Sequence, residues 1–285
     1  MNTLKFFNEL LLYKLYDNLY LYSLNINTMS IFKSGNPTLT QKIFEKSLSN
    51  DAALQDTMTV RGAINKFGFL LLMVIGAASF TWQQYYNGQP KLMMTFLMIG
   101  AIGGFITVLA ISFKPKWAQY LAPLYGILEG FFIGAVSAII NDVMSEKYPN
   151  IVIQAVGLTM GVAFAMFLLY NFRIIKATER FKSVLFSATL GIAIFYGITM
   201  LLRLFGVQMG FMNFGDSSLL GIGISLFVVA IAALNLIMDF DMIEQGAEQG
   251  APKYMEWYGA FGLLVTIVWL YVEMLKLLSR FSSKD

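Results

Sequence analysis

Seven long apolar runs, separated by short polar breaks, fill this chain from residue 66 onward: 66–86, 92–113, 120–141, 151–170, 183–205, 219–240 and 258–278. Each is close to the ~20 residues that a helix needs to cross the hydrocarbon core of a bilayer. The polar breaks carry the turn-forming residues: Asn87-Gly88-Gln89-Pro90, Lys114-Pro115-Lys116, Tyr148-Pro149-Asn150, and the stretch from Gly246 to Pro252. None leaves room for a folded domain outside the membrane. The pattern predicts an all-α integral membrane protein, a bundle of seven transmembrane helices over 66–280, with a short tail at 281–285.

Ahead of the first run the pattern changes twice. Residues 1–28 are rich in Asn, Tyr, Leu and Lys, and Lys14 and Asp17 interrupt their apolar core, so the segment does not span cheaply. No small-residue cleavage site follows a clean apolar stretch, as a signal peptide would require. Two readings stay open: an amphipathic segment lying on the membrane, or an extension ahead of a true start at Met29. Residues 29–65 read as a polar cytoplasmic leader, with one short interfacial helix around Gln41 to Lys46.

Composition agrees with a membrane location and removes several kinds of chemistry. The 285 residues are 57% hydrophobic and 13% charged, about half the charge of a soluble domain. The net charge of +3 is small and scattered, which argues against nucleic acid. With no cysteine there is no disulfide or thiol chemistry. With no histidine, the Ser-His and Cys-His mechanisms, the commonest metal ligand and histidine pH sensing are all gone. A protonation switch near neutral pH would most simply use carboxylates. Lys and Arg in the short loops set the orientation. Nine (Arg61, Lys66, Lys114, Lys116, Arg173, Lys176, Arg180, Lys182, Lys253) fall on one side and five (Lys91, Lys147, Lys276, Arg280, Lys284) on the other. The N-terminus is therefore expected in the cytoplasm and the C-terminus outside.

Acids inside such helices are costly and are kept for ion or proton handling, or for a buried partner. Asp239 closes the sixth run, with Asn235 one turn earlier on the same face and Asp241 just beyond. Glu129 lies about 13 Å inside the third run, at 1.5 Å per residue. If Asp239 and Glu129 share the inner half of the bilayer, they form a carboxylate pH sensor or an oxygen-rich site for calcium. Otherwise Asp239 is interfacial. Glu273, in the seventh run, has Arg203 as its expected ion-pair partner and Lys276 as the alternative. The stretch 241–257 holds Asp241, Glu244, Glu248 and Glu256 against Lys253: a solvated loop or a cation-attracting vestibule. Gly126, Gly130 and Gly134 share one helix face, and Gly157 and Gly161 repeat the spacing, as tight helix contacts do. Asp216 and Asp239 are the only aspartates that suggest an intramembrane protease. They fall on opposite sides and lack a Gly-x-Gly-Asp sequence, so no enzyme is expected.

Three stretches carry a family resemblance: Pro123 to Gly134 (PLYGILEGFFIG), Met238-Asp239-Phe240-Asp241, and Gly262 to Leu278 (GLLVTIVWLYVEMLKLL). Over residues 30–285 the chain resembles the bacterial Bax inhibitor-1-like family. The resemblance implies a seven-helix fold with the last helix at the centre, in the bacterial inner membrane. It also implies a pH-sensitive calcium leak controlled by two acids, one in the sixth and one in the seventh helix. Asp239 matches the first and Glu273 the second, although Glu273 lies in the outer half and Asp239 near the inner edge; Glu129 is the substitute partner. Other relatives regulate a membrane-bound protease, which implies a non-transporting alternative with such a protease, or stress survival, as its target.

Overall fold

The computed structural model describes residues 57–207, 209–210 and 213–282. The expected elements before Thr57, and residues 283–285 of the tail, lie outside the described residues. Seven helices follow in order: α1 (Val60–Tyr86), α2 (Pro90–Phe113), α3 (Ala118–Met144) after a 3-10 turn at Pro115–Trp117, α4 (Ile151–Asn171), α5 (Glu179–Leu204), α6 (Leu219–Glu248) and α7 (Met255–Ser282). All seven are long and apolar enough to cross a membrane. The starts of α1, α3, α5 and α7 share one end of the bundle, here the near end. The starts of α2, α4 and α6 share the far end.

Two boundaries move most, for local reasons. Helix α1 begins six residues before the apolar run because Thr59 caps it: its hydroxyl accepts the Gly62 N–H at 2.9 Å. The end of the expected leader is therefore part of the bundle. Met58 is buried and its N–H donates to the Ala251 carbonyl at 2.7 Å. Helix α6 runs eight residues past its apolar run, to Glu248, so Asp241 and Glu244 are helical and not in a loop.

The last helix is central. Its apolar window is 78% buried, against 17% in α1, α4 and α5, and it packs on α1, α3, α4 and α6. Its neighbour α6 runs antiparallel in a register set by two close approaches. A Cβ on Gly259 would lie 2.9 Å from Ile243, and one on Gly221 would lie 2.5 Å from Arg280 Nη1.

The glycine face of α3 meets α1. A Cβ on Gly126, Gly130 or Gly134 would press on the carbonyls of Leu70, Val74 and Ala78 in turn. The expected second contact, at Gly157 and Gly161, is overturned: both glycines face open space. The buried face of α4 runs through Ile151, Ala155, Thr159 and Ala163, and two further residues turn Gly157 about 200° away from Ala155. Spacing shows that two glycines share a face, but not which way that face points. Helix α2, which drew no attention in the sequence, also makes a close approach, with Gly100 against the Leu128 carbonyl of α3.

Candidate functional site: the polar face of α5

Helix α5 is the most lightly held of the seven, with substantial backbone contact to α6 alone. Along it runs a line of polar residues seven apart, Lys182, Thr189, Tyr196 and Arg203, and the first three tie it in. Seven residues are nearly two turns, so the four lie almost on one line. From first to last they climb 21 residues, about 32 Å, close to the thickness of the hydrocarbon core.

At the near end Lys182, 3% exposed, pairs with Asp241 of α6, Nζ to Oδ2 at 2.9 Å. Gln245 donates to the same oxygen at 2.6 Å, and Glu179 lies 3.7 Å from Lys182. The Tyr170 hydroxyl of α4 donates to Glu244 and sits 3.4 Å from Asp241 Oδ1. Arg173 completes the cluster by donating to Glu244 at 2.6 Å, and that hydrogen bond holds its guanidinium above its ordinary pKa.

One third of the way along, Asn235 donates its amide to Thr189 Oγ1 at 2.9 Å and to the Ile231 carbonyl at 2.8 Å. Its own carbonyl oxygen is buried without a hydrogen bond. Asp239 lies one turn nearer to Lys182 on the same face and is 0% exposed. Two thirds along, the Tyr196 hydroxyl donates to Glu273 Oε1 of α7 at 2.8 Å. Lys276 Nζ stands 3.4 Å from that hydroxyl and 3.9 Å from Glu273 Oε2. At the far end Arg203 is exposed, on the rim of a 270 Å³ cavity shared with Tyr196 and Lys276.

A family model described as Bax inhibitor 1 like matches residues 36–283, well over half of the chain. The chain belongs to the Bax inhibitor 1 like family. No match was found among curated proteins, and none among solved structures.

The acids expected to matter in this Bax inhibitor 1 like protein are not gathered in one place. The α6–α7 register sets Asp239 opposite Leu263, ten residues before Glu273, so the two acids stand about 15 Å apart along the bundle axis. They share the α5 stripe but not a proton. Glu129 points at α2, its Oε2 3.4 Å from the place of a Cβ on Gly104. Since α2 has no substantial contact with α6, Glu129 and Asp239 are not brought together. Among the described residues no three acids are grouped as a metal site would need. The ion pair expected between Glu273 and Arg203 is not formed. Glu273 meets Tyr196 and the alternative partner Lys276, because the α5–α7 register puts Arg203 two turns beyond it. Asp216 lies beside Gly221 and Arg280 at the far end, about 27 Å in helix rise from Asp239, so these aspartates form no pair either.

The acidic vestibule is a further correction. Asp241 pairs with Lys182, Glu244 with Arg173, and Glu256 with Lys66 and Lys253. Glu256 is wholly buried and also accepts the Thr59 N–H and hydroxyl, at 2.9 and 3.0 Å, fastening the start of α1 to the start of α7. Among the described residues, at least four of the nine near-end cations therefore answer acids in the fold. The sequence reading missed Thr189, Tyr196 and Tyr170, and took Lys182 only as a sign of orientation. The signal was there: polar residues at every seventh position, Lys182 to Arg203, of a largely apolar run.

Proposed function

We propose that this protein is a cation leak, with calcium as the ion, whose route follows the polar face of α5. Protonation of the carboxylates along that face controls it, Asp239 first, with Asp241 and Glu273. The observation that carries this reading is the stripe itself. Polar groups run the thickness of a membrane along the one helix that is lightly packed, and lightly packed elements are those that open at least cost. Carboxylates held at membrane depth are costly and are retained for ion or proton handling or for a buried partner. In a chain without histidine they are the simplest groups to respond to pH. The bias of Lys and Arg favours a cytoplasmic N-terminus and an external C-terminus in a bacterial inner membrane.

The test is calcium flux into dye-loaded liposomes from mildly acid to mildly alkaline pH. Wild type is expected to show flux that changes with pH. Asp239→Asn should remove that response, and Glu129→Gln, facing α2, should keep it. Folded protein with no flux above empty liposomes sinks the proposal.

One observation favours a rival from another class, a non-transporting regulator of a membrane protease or of stress survival. Asp241 and Glu273 already have cationic partners in Lys182 and Lys276, which is what interhelical fastening needs. The rival expects a protease to co-purify with the full chain and its phenotype to survive Asp239→Asn.

A further inference from the structure

We propose that the far-end cavity between α5 and α7 seats the phosphate of an anionic phospholipid, a site independent of whether ions flow. Its volume is 270 Å³, and its polar wall is Arg203, Lys276, Thr199 and Asn213. Met200 and Val207 supply an apolar side.

Charge decides the ligand class. Lys276 is answered by Glu273 at 3.9 Å, and Arg280 lies beside Asp216 at the edge of this region. Arg203 forms no ion pair among the described residues. Among the described residues the cavity therefore keeps one positive charge in excess, on a guanidinium whose planar fork suits phosphate oxygens. A phosphodiester carries a single negative charge and matches that excess. Free inorganic phosphate at neutral pH is more highly charged and would face Glu273 as well.

Position decides the source. Arg203 stands one hydrocarbon thickness from Lys182, at the level where long basic side chains reach the headgroups. Leu201, Leu204 and Phe205 around it are exposed, so acyl chains of a bound lipid have an apolar surface to lie on. Basic pockets between transmembrane helices recognise anionic headgroups on the same terms. Arg203 is also exposed, so its substitution leaves the packing of the bundle alone.

The full chain in a neutral detergent would be given phosphatidylglycerol or phosphatidylcholine of the same chain length, and retained lipid read by native mass spectrometry. Wild type should retain phosphatidylglycerol in preference. Arg203→Gln should lower that retention about fivefold, the contribution of one cation at a membrane surface. Arg203→Lys should restore part of it. Arg180→Gln, the same loss of charge at the other end of α5, should leave it unchanged. Equal losses in Arg203→Gln and Arg180→Gln would reduce the effect to general surface charge and overturn the site. So would equal retention of both lipids by wild type. Displacement of the lipid by millimolar inorganic phosphate or glycerol 3-phosphate would overturn the lipid as the occupant in favour of a soluble phosphate. Retention is read without flux, so this proposal and the leak fail separately.

Discussion

Helices α1 and α3 are joined by side chains that are missing, whereas α5 is joined by side chains that reach out. Along α3 three glycines let the carbonyls of α1 come into contact, an interface of dispersion along its length, closed at the far end by hydrogen bonds from Tyr85 to Asp142 and from Asn141 to Tyr86, both at 2.9 Å. Along α5 three polar links, Lys182–Asp241, Thr189–Asn235 and Tyr196–Glu273, span a gap that apolar packing leaves thin. In lipid no hydrophobic force pushes helices together, so both solutions are needed. They differ in what can undo them. Close packing is undone by added volume, a polar link by removal of either partner. The contrast divides the bundle into a frame, α1 and α3 around α7, that packs closely along its length and carries carboxylate links at its ends, Glu256 and Asp142, and a strut, α5, that is held chiefly by polar links.

The largest expected effect tests the strut. Lys182→Met leaves Asp241 buried without its cation, and losing one partner of a buried pair costs about 3–5 kcal/mol. A fall in thermal midpoint in detergent would show it. Adding Asp241→Leu to Lys182→Met should recover most of the loss, because no lone charge remains. A neutral Lys182→Met would mean that the near-end link holds nothing.

The frame should yield next. Gly134→Val drives a branched side chain into the Ala78 backbone, and overpacking of this kind costs roughly 1–3 kcal/mol. Gly157→Val, with the same change of residue over open space, should stay within about 0.5 kcal/mol. Equal losses at both positions, measured side by side in the same detergent, would dissolve the distinction between the glycine pairs.

The smallest change in stability sharpens the comparison most. Asn235→Leu removes a link that averages about 0.6 kcal/mol in membrane proteins, and it also removes a carbonyl oxygen buried without a hydrogen bond. Stability should barely move. Calcium flux should fall, because a polar step in the stripe becomes apolar. Unchanged flux beside unchanged stability would make Thr189–Asn235 neither fastening nor path.

Much of the candidate site was legible as residues and little of it as a site. Asp239, Asp241, Asn235 and Glu273 stand out in sequence because polar groups are rare in apolar runs. Their partners did not, since Lys182 sits at a run's edge and Tyr196 passes as one of 14 tyrosines. The acidic stretch 241–257 looked like a charged loop because its acids are near in sequence to one lysine. The cations that neutralise them, Lys66, Arg173 and Lys182, come from α1, the α4–α5 turn and α5.

What the chain determines by itself is the number of spans, their helical form and their alternating direction. Bilayer thickness sets the length of each run, and a backbone in hydrocarbon must satisfy its own hydrogen bonds, so a single long apolar run already dictates a helix. What only the tertiary structure decided is rotation and register: that Gly130 faces inward and Gly157 outward, that Glu273 meets Tyr196 and not Arg203, and that Asp239 stands about 15 Å from Glu273 along the bundle axis. A helix carries its periodicity in its own sequence. Its rotation about its axis and its height against a neighbour are set by how distant segments pack, at Gly259 on Ile243 and Gly221 on Arg280, and no single run contains that information.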